Sequence, residues 1–171
     1  MLKKWLEKLD KVARLAVVIT VIEVIVLVQW LQMTMTQAAA VAAGFLFVGI
    51  LIEELVRFMG IKNRAPRERE FLLIALGVAV ETVTWILPLV LALLPAQTFG
   101  ILFVGLTVEH AIIGLATRGK FDLQSVVDFS AVEAAGGTIW LMDPSVGTII
   151  VLAITSVLEH VQGIRQGLRL R

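Results

Sequence analysis

Apolar runs of about twenty residues alternate with short polar breaks along the whole chain. Spans are expected at roughly 13–34, 40–59, 71–94, 97–117, 123–142 and 146–166, each near the twenty residues that cross a bilayer as a helix. Residues 1–12 differ. Leu2, Trp5, Leu6 and Leu9 form one apolar stripe among lysines, the pattern of a short amphipathic helix lying at a membrane interface. The breaks carry turn chemistry: Asn63 to Glu70 with Pro66, and Asp143-Pro144-Ser145. Pro88 falls inside the third span and is expected to kink it or end its regular hydrogen bonding.

The fold class this predicts is all-α: a polytopic membrane protein of six transmembrane helices and a single membrane domain over residues 1–171. Composition agrees, with 58% hydrophobic residues and a mean hydropathy of +0.93, against 45–50% apolar in ordinary soluble domains. The fifteen Lys and Arg lie within Lys3–Arg14, Arg57–Arg69, Arg118–Lys120 and Arg165–Arg171. The turns near 32–40, 95–100 and 142–147 have none, so the positive-inside rule puts both termini in the cytoplasm, in a cell (inner) membrane. No feature suggests nucleic-acid recognition, and the basic clusters need only anionic headgroups as partners.

An internal repeat sharpens the architecture. Leu46 to Glu54 and Leu102 to His110 match at five of nine positions. Glu53, Glu109 and Glu159 are spaced by 56 and 50 residues, and Glu23, Glu81 and Glu133 by 58 and 52. The expectation is three tandem helical hairpins with pseudo-three-fold symmetry. Each hairpin has one Glu on its outgoing helix and a Glu-Glu or Glu-His pair on its returning helix. All these carboxylates then fall in one layer toward the cytoplasmic side.

That layer is the candidate chemistry. Ionisable groups at membrane depth cost about 2.5–3.5 kcal/mol each on insertion scales, so they mark function. The candidate metal ligands are Glu23, Glu53, Glu54, Glu81, Glu109, His110, Glu133, Glu159 and His160. Buried carboxylates must be paired, protonated or metal-bound. Oxygen and imidazole donors without sulfur suit two transition-metal ions: iron, manganese or zinc. In ligand content alone, the set resembles that of ferritin-like di-iron bundles. There Glu and His stand three apart on a helix, whereas Glu109-His110 and Glu159-His160 are adjacent. Glu53-Glu54-Leu55-Val56-Arg57 looks like the Glu-Glu-x-x-x-Arg motif of CaaX-protease-like enzymes but is one residue short. The accompanying histidine motifs of that family are missing.

The function expected is a metal-dependent redox enzyme acting on a lipid-soluble substrate such as a quinone or acyl chain. The alternatives are a cation or proton transporter, a haem b protein using His110 and His160, or a structural subunit of a larger membrane complex or homo-oligomer. Substrate space is expected at Ala134–Gly137, and Trp30, Trp85 and Trp140 are expected in an interfacial belt. Gly49 and Gly105, one turn before Glu53 and Glu109, are expected to let helices approach closely.

Overall fold

The computed structural model describes residues 39–91 and 93–142, together with 18, 19, 21, 22, 150, 154, 157 and 161, which are all helical. Spans one and six and the interfacial N-terminal segment fall mostly or wholly outside these residues. Among the described residues there are four α-helices and no strand. They are α1 (Ala39–Lys62), α2 (Glu68–Val90), α3 (Pro95–Arg118) and α4 (Leu123–Met142).

The connections are only four or five residues long, so successive helices run antiparallel and pack as neighbours. α2 lies against α1 and α3, and α3 lies against α4, while α1 and α3 meet only slightly. Ile19 is fully buried beside Ile61 and Val56, which sets this part of the first predicted span against the second half of α1.

Local chemistry sets the helix ends. Asn63, at φ 56°, closes α1 in the left-handed conformation that asparagine tolerates, and its N–H reaches the Met59 carbonyl at 2.7 Å. α2 begins three residues earlier than its apolar run, because Glu70 folds back to accept the Arg67 N–H at 2.8 Å. Glu68 and Glu70 also favour the positive end of the helix dipole. The far end of α2 comes at Val90, four residues short of expectation. Pro88 lies inside the helix, two residues before this end. The Leu91 N–H bonds to the Leu87 carbonyl, and the Leu93 N–H bonds to that of Pro88 at 3.1 Å, a wider loop that takes the chain out of the helix. Gly119, at φ 77°, caps α3.

The core is built from Leu46, Ile50, Phe58, Ile74, Val78, Trp85, Leu102, Leu106, Ile113 and Trp140, with Ala116 and Ala134. Acidic side chains are buried beside this apolar core, and aliphatic ones face outward. Glu53, Glu54 and Glu109 are 4%, 2% and 1% exposed, while Val48, Val83, Val104 and Val132 are 53%, 56%, 61% and 52% exposed. Each of the four helices thus turns a valine outward. Among the described residues, α2 and α3 are long and apolar enough to cross a membrane, judged by length and composition. α4 is the more polar helix, with Asp128, Ser130, Glu133 and Thr138 in its length.

Two expectations are corrected. Trp85 and Trp140 are not belt residues: both are buried and meet edge to face, with ring centroids 6.2 Å apart. Nor is there substrate space beside Gly137. A Cβ there would stand 2.5 Å from Cη2 of Trp85 and 3.1 Å from Leu102, so the indole fills the place a side chain would take. Trp30 lies outside the described residues.

Candidate functional site: a buried carboxylate and imidazole layer

The short connections bring the acidic residues of four helices to the same end of the bundle. At 1.5 Å per residue, Glu54, Glu109 and Glu133 lie about 12, 14 and 15 Å from the ends of α1, α3 and α4 nearest the Asn63 and Gly119 turns. Glu81 lies about 20 Å from the start of α2, just past the middle of that 23-residue helix. The Glu109 carboxyl is within Coulombic range of Glu54, Glu81, Glu133 and Arg57.

A close seam between α2 and α3 makes this possible. Gly105 stands one turn from Glu109, and Thr84 nearly one turn from Glu81. A Cβ on Gly105 would overlap the Thr84 side chain, so the two helices are nearer here than any residue with a side chain would permit. Thr84 is buried and directs its hydroxyl to the Val80 carbonyl at 2.8 Å, and its Oγ1, methyl and Cβ all lie against the glycine.

The centre of the site is His110. Buried Ser130 donates its hydroxyl to the Val126 carbonyl at 2.7 Å, and so accepts a hydrogen bond from His110 Nδ1–H at 3.0 Å. With Nδ1 carrying the proton, Nε2 is the nitrogen that meets the carboxylates. It lies 3.4 Å from Oε2 of Glu109 and 3.5 Å from Oε2 of Glu133. These separations are longer than good hydrogen bonds. Oε2 of Glu109 is fully buried and has no hydrogen-bond donor among the described residues.

α1 solves its charge problem differently. The Arg57 guanidinium donates to Glu53 and to Glu54, both at 2.6 Å, spanning the adjacent carboxylates from the next turn. On α2, the Trp85 indole N–H points to Oε1 of Glu81 at 3.4 Å.

Of the nine candidate ligands, Glu23, Glu159 and His160 lie outside the described residues. The other six are in or beside the layer: Glu54, Glu81, Glu109, His110 and Glu133 around the Glu109 carboxyl, and Glu53 on the far side of Arg57. Among the described residues, no three His, Asp or Glu side chains are gathered closely enough to enclose a metal ion as they stand. Ser130 is the residue that sequence reasoning passed over. It shares a helix face with Glu133 three positions on, and that spacing was the available signal. Asp128, by contrast, is exposed and accepts a hydrogen bond from the Gln124 amide at 2.8 Å.

On the side of the layer away from the Gly119 turn the bundle is mostly apolar, with Thr84 and Thr98 buried among its residues. Trp85 lies one turn beyond Glu81, and Leu102 and Trp140 two turns beyond Glu109 and Glu133, all buried. The class this defines is an all-α bundle with an inward-facing acidic layer, closed on one side by a tryptophan pair. Compared with known proteins, the chain matches no protein family, no curated protein and no solved structure.

Proposed function

We propose that the chain is a membrane-embedded cation-binding protein of six spans in three helical hairpins, with both termini cytoplasmic. Its acidic layer holds a divalent transition metal. The single observation carrying this reading is the arrangement at His110. Two ligands about 2.1 Å from a tetrahedral metal stand about 3.4 Å apart. Nε2 of His110 has that separation from Oε2 of both Glu109 and Glu133. Ser130 supplies the outer hydrogen bond that metal-binding imidazoles need to fix their tautomer. Closure of the remaining Glu109–Glu133 gap around the ion is part of the proposal.

Iron, manganese or zinc fits a set of oxygen and imidazole donors. A metal here would act as a Lewis acid on water or take part in redox chemistry, on a substrate reaching it through the lipid, such as a quinone or acyl chain. Membrane embedding is supported by the valines on the outer faces of all four helices and by the buried acidic residues. A transporter built on the same glutamates needs a polar route onward, and Trp85, Leu102 and Trp140 lie across it.

The test is elemental analysis of the full chain purified in mild detergent without chelator. The expectation is one to two equivalents of iron, manganese or zinc, lost in His110→Ala with the helical circular dichroism retained. Metal-free wild-type protein that also fails to take up added metal sinks the reading.

A further inference from the structure

We infer that Arg57 is a built-in cation of this site, and that its presence reserves the Glu109–His110–Glu133 end for a single exchangeable divalent ion. The inference rests on the cation-binding reading above and specifies which part of the layer the ion uses.

The starting point is the asymmetry between two repeated helices. α1 and α3 align over Leu46–Glu54 and Leu102–His110, and the alignment carries Arg57 onto Ile113. Arg57 bridges Glu53 and Glu54 at 2.6 Å on each side, with little of its side chain exposed. Ile113 is a buried apolar residue in the core and offers Glu109 nothing. One copy of the repeat therefore carries its own positive charge one turn from its carboxylates. The other has an imidazole and a buried carboxylate oxygen with no hydrogen-bond donor among the described residues. That oxygen, Oε2 of Glu109, is the one turned toward His110 Nε2.

The two ends also sense each other. Arg57 lies within Coulombic range of Glu109, and so does Glu54. A fixed guanidinium next to the layer opposes a second cation entering at Glu53 and Glu54, because it holds Oε1 of each carboxylate and its charge repels that cation. It also weakens the field drawing an ion to Glu109, since like charges repel strongly where water is excluded. Arg57 thus sets both how many ions enter and how tightly the first one is held. Glu53 and Glu54 leave the ligand set and become the counter-charge of Arg57.

The experiment is equilibrium dialysis of the detergent-purified full chain against Co2+ at neutral pH, with the visible spectrum recorded as a report of coordination. Wild type is expected to bind Co2+ with a ligand-field band that disappears in Glu109→Gln. Arg57→Gln is expected to bind about tenfold tighter, or to take an additional equivalent, and Arg57→Lys to resemble wild type. Glu54→Gln, which the inference takes out of the ligand set, is expected to keep the wild-type spectrum while binding more weakly, because it removes a negative charge within Coulombic range of Glu109. It decides the matter alone if Arg57→Gln fails to fold by circular dichroism and gel filtration. Binding in wild type with no gain in folded Arg57→Gln, or with loss of the ligand-field band in Glu54→Gln, overturns the role of Arg57 and leaves the metal site standing. Wild type that binds no Co2+ removes the site itself.

Discussion

The seam at Gly105 gives the most direct test of the packing that gathers the acidic layer. In Gly105→Ala the new Cβ overlaps the Thr84 hydroxyl and lies 2.5 Å from its Cγ2 and 2.7 Å from its Cβ. Thr84 has no easy retreat. It is buried, and its rotamer is held by the hydrogen bond to the Val80 carbonyl. Overpacking of this kind costs roughly 1–3 kcal/mol. Here three atoms clash at once, so the upper half of that range, about 2–3 kcal/mol, is expected, offset by at most about 1 kcal/mol from alanine's better helix propensity. The distances also order the rescues. Thr84→Ala removes the two closest atoms but leaves a Cβ at 2.7 Å, so it relieves the clash in part. Thr84→Gly removes all three. Equilibrium unfolding in mixed micelles, followed by tryptophan emission, should therefore give a coupling energy above about 1 kcal/mol for Gly105→Ala with Thr84→Gly, and a smaller one with Thr84→Ala. A Gly105→Ala protein as stable as wild type, or additive double mutants, would refute a tight α2–α3 seam.

Other outcomes follow from the polar contacts. Glu70 accepts two hydrogen bonds from Arg64, at 2.6 and 2.8 Å, and one from the Arg67 N–H, and the Arg64 bond leads the causes that lower its carboxyl pKa to about 2. A depressed carboxylate stabilises the fold above its unfolded value near 4.3 and loses that contribution as pH falls toward the folded value. The stability difference between wild type and Glu70→Gln should thus be constant at neutral pH and shrink between about pH 4.3 and 2, with carboxyl NMR giving a Glu70 midpoint near 2. A midpoint near 4 refutes the contact. Ser130→Ala deprives His110 Nδ1–H of its acceptor, at a cost of about 1–3 kcal/mol for a buried donor left unpaired. Nitrogen NMR of His110 should show an Nδ1-protonated ring in wild type and a mixture of tautomers in the variant. Identical spectra would show that Ser130 does not set the ring.

Much of this was legible in the residues. The apolar runs, read as spans at 40–59, 71–94, 97–117 and 123–142, locate all four described helices to within a few residues, though Leu91–Leu94, inside the expected third span, forms the connection. Spacing from the helix ends puts Glu54, Glu109 and Glu133 at similar depth. What was misread is orientation. Trp85 is four residues after Glu81, and Trp140 seven after Glu133. Each tryptophan therefore shares a helix face with a residue of the layer and must face inward with it. Depth along the span suggested an interfacial belt, but azimuth decided the outcome. The double bridge from Arg57 was likewise present in the spacing, since it stands three residues after Glu54 and four after Glu53. The Gly137 site was read as space because a small residue leaves room on its own helix. The neighbouring helix carries an indole that fills it, which a single segment does not reveal.

The placement of the acidic layer bears on how such a chain enters a membrane. The four-residue connection between α2 and α3 contains Leu91, Leu93 and Leu94 and no charged residue, so the hairpin has an uncharged leading tip. Glu109 sits toward its other end, on the side of the basic loops, and Glu81 lies near the middle of α2. In the proposed topology Glu109 comes to rest in the half of the bilayer from which it enters, and Glu81 stops near the middle. A newly made hairpin can then pass its tip across while its carboxylates stop short of the far leaflet, sparing them the costliest part of the journey. Chemistry confined to the near side is also chemistry that can be installed without carrying charge through the lipid.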